Sequence, residues 1–175
     1  MLPLNIAGEH VFFEDIKIEH LPIILKWYNS VDCFKFATGV DSPITLEKLT
    51  QKYAEVAICS NEFFVGIFLI RERKMIGILK GRLENKGAQT VWISSIVIDP
   101  FYQKRGFGSS SVNLLLDYLR SNYYVKFACL AVIEENIPGR AFWSKLGFTE
   151  TRRIENHLKL KDKQQNVIIM NKEIG

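Results

Sequence analysis

The sequence predicts an α/β fold, a mixed α+β sheet of about seven strands with helices on both faces. Three observations carry that reading. Strand-like and helix-like periodicities follow the order strand, two helices, three strands, helix, strand, helix, two strands. The three consecutive strands are joined by short turns, which implies antiparallel pairing. The strand–helix–strand run over residues 93–132 implies a parallel pair with a right-handed crossover. No internal repeat, low-complexity segment or interdomain linker breaks the pattern. A length of 175 residues suits one core, so residues 1–175 read as a single domain.

Residues 11–18 read as the first strand. Residues 19–28 read as a helix with Leu21, Ile24, Leu25 and Tyr28 on one face. Pro22 falls in its first turn, where a missing N–H is harmless. Residues 29–43, with Phe34 and Phe36, read as a polar and aromatic linker, equally suited to capping a site or to plain connection. Ser42-Pro43 or Thr45 caps a second helix running to about residue 58, with Leu46, Leu49, Tyr53 and Val56 as its apolar stripe. Residues 63–70 and 75–83 are strands around a turn at 71–74, and a turn at Asn85-Lys86-Gly87 leads to a third strand over 90–98. After a loop, Val112, Leu115, Leu116, Leu119 and Tyr123 recur at helical spacing, with the helix ending near residue 122. Residues 125–133 are a further strand. Asn136 can cap the next helix, Pro138 lies in its first turn, and Gly147 ends it. Strands over 149–160 and 166–172 flank a polar turn at 161–165.

Composition narrows the function classes. Apolar residues are 47% and charged residues 24% of the chain, which separates it from disordered proteins. A net charge of +4 helps attract a small polyanion but falls short of a nucleic-acid footprint. Cys33, Cys59 and Cys129 are odd in number and lack C-x-x-C spacing, so neither a disulfide framework nor a zinc site is expected. His10, His20 and His157 show no metal-ligand spacing, and no metal is expected. Reduced thiols, no signal-peptide pattern and no apolar run of membrane-spanning length together predict a cytoplasmic protein that does not enter membranes. Lys159, Lys161 and Lys163 alternate as on a solvated strand face, which could also attract an acidic acceptor.

The chemistry concentrates in residues 96–113. The apolar run Ile96-Val97-Ile98 stops at Asp99-Pro100, a loop carries Lys104, Arg105, Gly106 and Gly108, and a helix follows. A helix start has unpaired N–H groups and a positive dipole end, and glycine lets a ligand approach the backbone. The dinucleotide fingerprint fails, because Ser111 occupies the third glycine position and no ribose-holding acid follows. A P-loop fails too, as no Lys-Ser/Thr follows the glycines, and no G-x-S-x-G is present for a serine hydrolase. Spacing alone leaves two readings, an ordinary tight turn or a phosphate cradle.

Gln103-Lys104-Arg105-Gly106-Phe107-Gly108 resembles the Q/R-x-x-G-x-G/A signature of the GNAT N-acetyltransferases. A later block, running from Asn136 through Gly139, Phe142 and Trp143 to Gly147-Phe148, resembles that family's N-x-x-A-x-x-F-Y-x-x-x-G-F segment. The element order fits across essentially the whole chain. The resemblance implies an acyl-CoA N-acyltransferase fold and an enzyme that moves the acetyl group of acetyl-CoA to a primary amine. It implies that acetyl-CoA lies where the strands ending at Ile98 and Val132 splay. Backbone groups of Ile96, Val97 and Ile98 would then pair with the pantetheine arm. Backbone N–H groups of Lys104, Arg105, Gly106, Phe107, Gly108 and Ser109 would hold the pyrophosphate, with Lys104 and Arg105 adding charge, and Gln103 opens the signature as a further cofactor-binding residue. Ser109 falls within the loop, while Ser110 and Ser111 read as a polar first helical turn. Asn136 and Gly139 lie at family positions near the cofactor arm, though Asn136 is equally a helix cap.

The catalytic pair is less defined. Trp143 stands where the family often has a tyrosine that protonates the departing thiolate, and an indole N–H is no usable acid. Trp143 either stabilises the thiolate, packs on the cofactor arm, or is core; Ser144 or water is left to supply the proton. The strand positions Trp92, Ser94, Ser95, Cys129 and Ala131 include no carboxylate to serve as base. Glu134, just after the second strand, is a candidate, and Glu135, Asp41 and Glu84 lie in or near loops. The acceptor is open between a small amine and a protein amine, and family members often pair through their last strands, which makes a homodimer possible. The alternative is a catalytically weak CoA-binding sensor or interaction module of the same fold.

Overall fold

In the computed structural model, residues 1–39, 41–84, 89–160 and 163–175 are described. They form one seven-stranded sheet from β1 (Val11–Asp15), β2 (Glu62–Leu69), β3 (Met75–Glu84), β4 (Thr90–Ile98), β5 (Phe127–Ile133), β6 (Thr149–Leu160) and β7 (Lys163–Glu173). The spatial order is β1-β2-β3-β4-β5-β7-β6. Only β4–β5 is parallel among these ladders. The expected meander and crossover are therefore both present. The helices are α1 (Leu21–Asn29), α2 (Val31–Thr38), α3 (Leu46–Ala57), α4 (Phe107–Tyr123) and α5 (Ile137–Lys145).

Alternation along each strand sends residues to two cores. One lies between the sheet and α4 and α5, where Val91, Ile93, Leu130 and Val132 meet Val112, Leu115, Leu119, Trp143 and Phe148. The other lies under α1, α2 and α3, where Ile78, Phe64 and Val97 meet Ile24, Trp27, Tyr28, Phe34 and Leu49. Trp27 and Tyr28 give α1 its buried face, with Leu25 only half-buried.

Three expectations need correction. The predicted linker at 29–43 contains α2, a two-turn helix held by buried Phe34 and ended by Gly39 at φ 67°. Its eight residues are too few to show a clear helical period in sequence. Leu46, assigned to the stripe of α3, is 44% exposed, because it is the first residue of that helix. Thr45 does cap α3, its hydroxyl accepting from the Lys48 N–H at 3.2 Å. Helix α4 begins at Phe107, so Ser109 lies inside its first turn rather than in the loop. The turn at Asn85-Lys86-Gly87 and residue Lys161 fall outside the described residues.

Candidate functional site

Strands β4 and β5 run together only as far as the pair Ile93↔Leu130. Beyond it β4 continues against β3, and β5 continues against β7, with Ala131 opposite Ile169 and Ile133 opposite Val167. A bulge marks the parting point: Gly81 pairs with Ile93 and Lys80 with Ser95, leaving Ser94 as the extra residue on β4. Ile96, Val97 and Ile98 thus pair with Leu79, Ile78 and Gly77 on one side and have no strand on the other. The cleft predicted between these strands is present.

At the end of β4, Asp99 does two jobs. One carboxylate oxygen accepts from the Phe101 N–H at 2.9 Å, and the other accepts from Trp27 Nε1 at 3.0 Å, fixing α1 to the strand end. Gln103 folds back so that its Nε2 donates to the Ile98 carbonyl at 2.8 Å. Its side chain therefore ties the loop to the open edge of β4. Lys104 at φ 59° and Gly106 at φ 85° then turn the chain into α4. Left-handed backbone is expected of glycine but is uncommon for lysine, and such strain concentrates at ligand-holding loops. The Ser110 N–H donates to Gly106 O at 2.9 Å, so the N–H groups of Phe107, Gly108 and Ser109 precede the first intrahelical donor. Lys104 and Arg105 are exposed beside them, with the Arg105 guanidinium 4.7 Å from the Phe101 ring centre. Backbone N–H groups, a helix dipole and two cations are thus gathered at one place, an arrangement that suits an anion. Ser111, by contrast, is buried, its hydroxyl donating to Phe107 O at 2.8 Å.

Across the cleft, Asn136 Oδ1 accepts from the Gly139 N–H at 3.0 Å, so Asn136 is a helix cap as read from sequence. A Cβ at position 139 would overlap the Asn136 side-chain amide, which accounts for glycine there. Phe142 rather than Trp143 faces Gly108: a Cβ at Gly108 would lie 3.4 Å from the Phe142 ring. Trp143 is only 7% exposed, edge-on to Phe142 and Phe148 at 4.9 and 5.1 Å between ring centres. Of its three readings the core one describes its surroundings. Ser144 is exposed on α5.

Glu134 is not placed to serve as a base. Arg153 Nε and Nη2 donate to its two oxygens at 2.7 and 3.0 Å, and Asn166 Nδ2 donates at 2.8 Å. Those hydrogen bonds, Arg153 first, pull its pKa from 4.5 to about 2. A carboxylate so held has little affinity for an amine's proton. Glu135 pairs with Lys163, and Glu84 pairs with Arg82 at 2.7 Å.

A cavity of about 350 Å³ opens beside the parting strands. Ser94, Ser95 and Ala131 form its floor, and α2 contributes Phe36 and Ala37. Ser95 Oγ donates to the Ala37 carbonyl at 2.6 Å, pinning α2 over the cleft. Sequence reasoning missed the remaining polar lining: Tyr28, Lys52, Glu55, Lys80 and His157. They come from four elements, and no local pattern unites them. Burial pushes the Tyr28 phenol up to about 12, so it stays protonated. No group of metal-ligating side chains occurs among the described residues, and no described helix is long and apolar enough to cross a membrane.

Comparison with known proteins agrees with this architecture. No curated protein sequence matches the chain. Among solved structures, the spermidine N-acetyltransferase from Vibrio cholerae, in complex with CoA and spermine, superposes with a TM-score of 0.81 at 18% identity, covering 94% of this chain and 95% of that one. The Salmonella typhimurium acetyl transferase that modifies the N-terminal serine of ribosomal protein L7/L12 gives 0.84 at 15% identity, covering 98% and 99%. RimL, a ribosomal L7/L12 α-N-protein acetyltransferase in complex with CoA, gives 0.83 at 13% identity, covering 98% of both chains. Identities this low establish the shared fold alone. The Acetyltransferase (GNAT) family model matches residues 26–148, which include the cradle, the parting strands and the Asn136–Phe148 block, and the chain belongs to that family.

Proposed function

We propose that this protein is an acetyl-CoA-dependent N-acetyltransferase acting on a primary amine in a ternary complex. One observation carries the reading: the open edge of β4 runs directly into the N–H cradle of α4, with a cavity at the other end of the same edge. A CoA thioester has that sequence of parts, an amide-bearing arm with a pyrophosphate at one end and the acyl group at the other. The N–H groups of Phe107, Gly108 and Ser109, with Lys104 and Arg105, would hold the pyrophosphate. The free backbone of Ile96, Val97 and Ile98 would pair with the arm as an added strand. Gln103 positions the loop, and Asn136 and Gly139 set the start of α5 on the opposite wall. Acetyl-CoA supplies an acetyl group already activated as a thioester.

The chain's own part is orientation and electrostatics. The acceptor amine enters the cavity and loses its proton, the C–N bond forms as the C–S bond breaks, and the thiolate is protonated on leaving. An amine with a pKa near about 10.4 must be deprotonated first. Water in the cavity, beside Glu55 and His157 at its rim, is the route the lining supports. The phenol of Tyr28 is one protonated donor in the cavity at neutral pH, beside the lysines of its lining. Trp143 and Ser144 contribute packing and a surface hydroxyl, respectively.

The test is release of free thiol from acetyl-CoA across a panel of amines, run beside CoA titration by calorimetry. Thiol release dependent on an amine supports the enzyme. Tight CoA binding without release over the whole panel points to a CoA-binding module of the same fold, and no CoA binding overturns both.

A further inference from the structure

The cavity beside the parting strands has an unusual distribution of charge for an amine site. Its interior charge is Lys80, on β3, half-buried, its side chain on the same face as Phe64 and Ser95, its cross-strand partners. Lys52, Glu55 and His157 are exposed and stand at the rim. Among the described residues no carboxylate comes within ion-pair distance of Lys80. Burial lowers its pKa; Glu62, Glu55 and Cys59 work against that shift, and Lys52 adds to it. A half-buried ammonium without an ion-pair partner is costly, and an incoming anion would remove that cost.

A polyamine needs the opposite lining. It carries several positive charges and is held by carboxylates, of which the cavity wall has only Glu55 among the described residues, set against Lys52 and Lys80. The volume of about 350 Å³ is at the low end for ligand pockets and suits a small molecule. Resting on the acetyl-transfer reading above, we propose that the acceptor is a small amine that also carries an anionic group, the simplest being a free amino acid. Lys80 takes the carboxylate from within, and Lys52 reinforces it from the rim. Glu55, on the same helix face as Lys52, favours the amine end. The site thus discriminates by charge: it accepts a carboxylate and rejects a polycation.

The experiment measures thiol release from acetyl-CoA with free amino acids, with the corresponding amino acid amides, and with spermidine. The expected result is a kcat/KM for the best free acid at least about tenfold above that of its amide, with spermidine lower still. The amide's amine loses its proton more readily, so this preference would run against intrinsic reactivity. In Lys80→Gln the ratio of acid to amide falls towards one while CoA affinity by calorimetry is unchanged, and Lys52→Gln lowers the ratio less. An amide or spermidine turned over as well as the acids overturns the inference, as does a ratio that survives Lys80→Gln. If no amine is turned over, binding to the CoA-loaded protein decides: N-acetylalanine should bind more tightly than N-acetylalaninamide, and equal affinities overturn the charge assignment. Loss of CoA binding itself would instead strike at the acetyl-transfer reading. Lys80→Met, which keeps the side-chain volume, repeats the test should Lys80→Gln fold poorly.

Discussion

The proposed anion cradle comes from one continuous stretch, Asp99 through Ser109, and would act mainly through backbone N–H groups. The cavity at the other end of the β4 edge draws its lining from α1, α2, α3 and each of the strands β2 to β7, and would act through side chains. A backbone-built site needs only a turn, a glycine at positive φ and a helix start, so it tolerates most side chains around it. A side-chain-built site is free to change its chemistry without disturbing the fold. That contrast agrees with the structural neighbours: the same fold occurs in proteins described with spermine and with an N-terminal serine.

The largest effect that would sharpen the contrast is expected from Gly108→Asp. An added Cβ meets only the Phe142 ring and Ile98 at ordinary contact distance, and an acidic residue in a first helical turn is favourable, so the fold should survive. A carboxylate facing a pyrophosphate should weaken CoA binding by at least about a hundredfold. Unchanged affinity in calorimetry would remove the cradle from the site. Next is Trp143→Tyr. Trading a buried indole for a smaller ring with a hydroxyl should cost about 1–3 kcal/mol in chemical denaturation, as a core position would. A gain in turnover at low pH would instead place the missing acid there. Asn136→Ala should cost about 1 kcal/mol as a lost cap. A fall in CoA affinity on top of that would give Asn136 a direct part in the cofactor wall.

The smallest effect concerns Glu134, which belongs to neither region. Its folded pKa of about 2 lies below the ordinary 4.5, so its pairing stabilises the protein above about pH 4.5 and loses that contribution as pH falls towards 2. Glu134→Gln should therefore lower Tm at pH 7 and match the parent near pH 2. A Tm gap that persists at low pH would mean that the Arg153 contact is not what Glu134 contributes.

Most of the fold was legible because most elements are long and strongly patterned. Strand β4 occurs at the residues expected, and the end of β3 and the cap of α5 fall within a residue or two. Helix α2 was hidden because two turns carry too little periodicity, and its Phe36 and Ala37 prove to line the cavity. The cradle was legible for the reason that makes it robust: its parts are neighbours in sequence. Glu134 looked available because its proximity to the end of β5 is visible in sequence, whereas its partners Arg153 and Asn166 are 19 and 32 residues away. Trp143 was ambiguous because helical spacing places it in the last turn of α5 without saying which way it turns.

The sequence by itself determined the alternation of strands and helices, the parallel pair and its crossover, the family, and the stretch that would hold a polyanion. Each of these depends on local propensity, on short-range spacing or on the order of elements along the chain. Only the tertiary structure decided that Trp143 is core, that Glu134 is spent on Arg153, and that Lys80 is the interior charge of the cavity. Those outcomes depend on desolvation and on partners brought together by sheet order, and a linear pattern carries neither quantity.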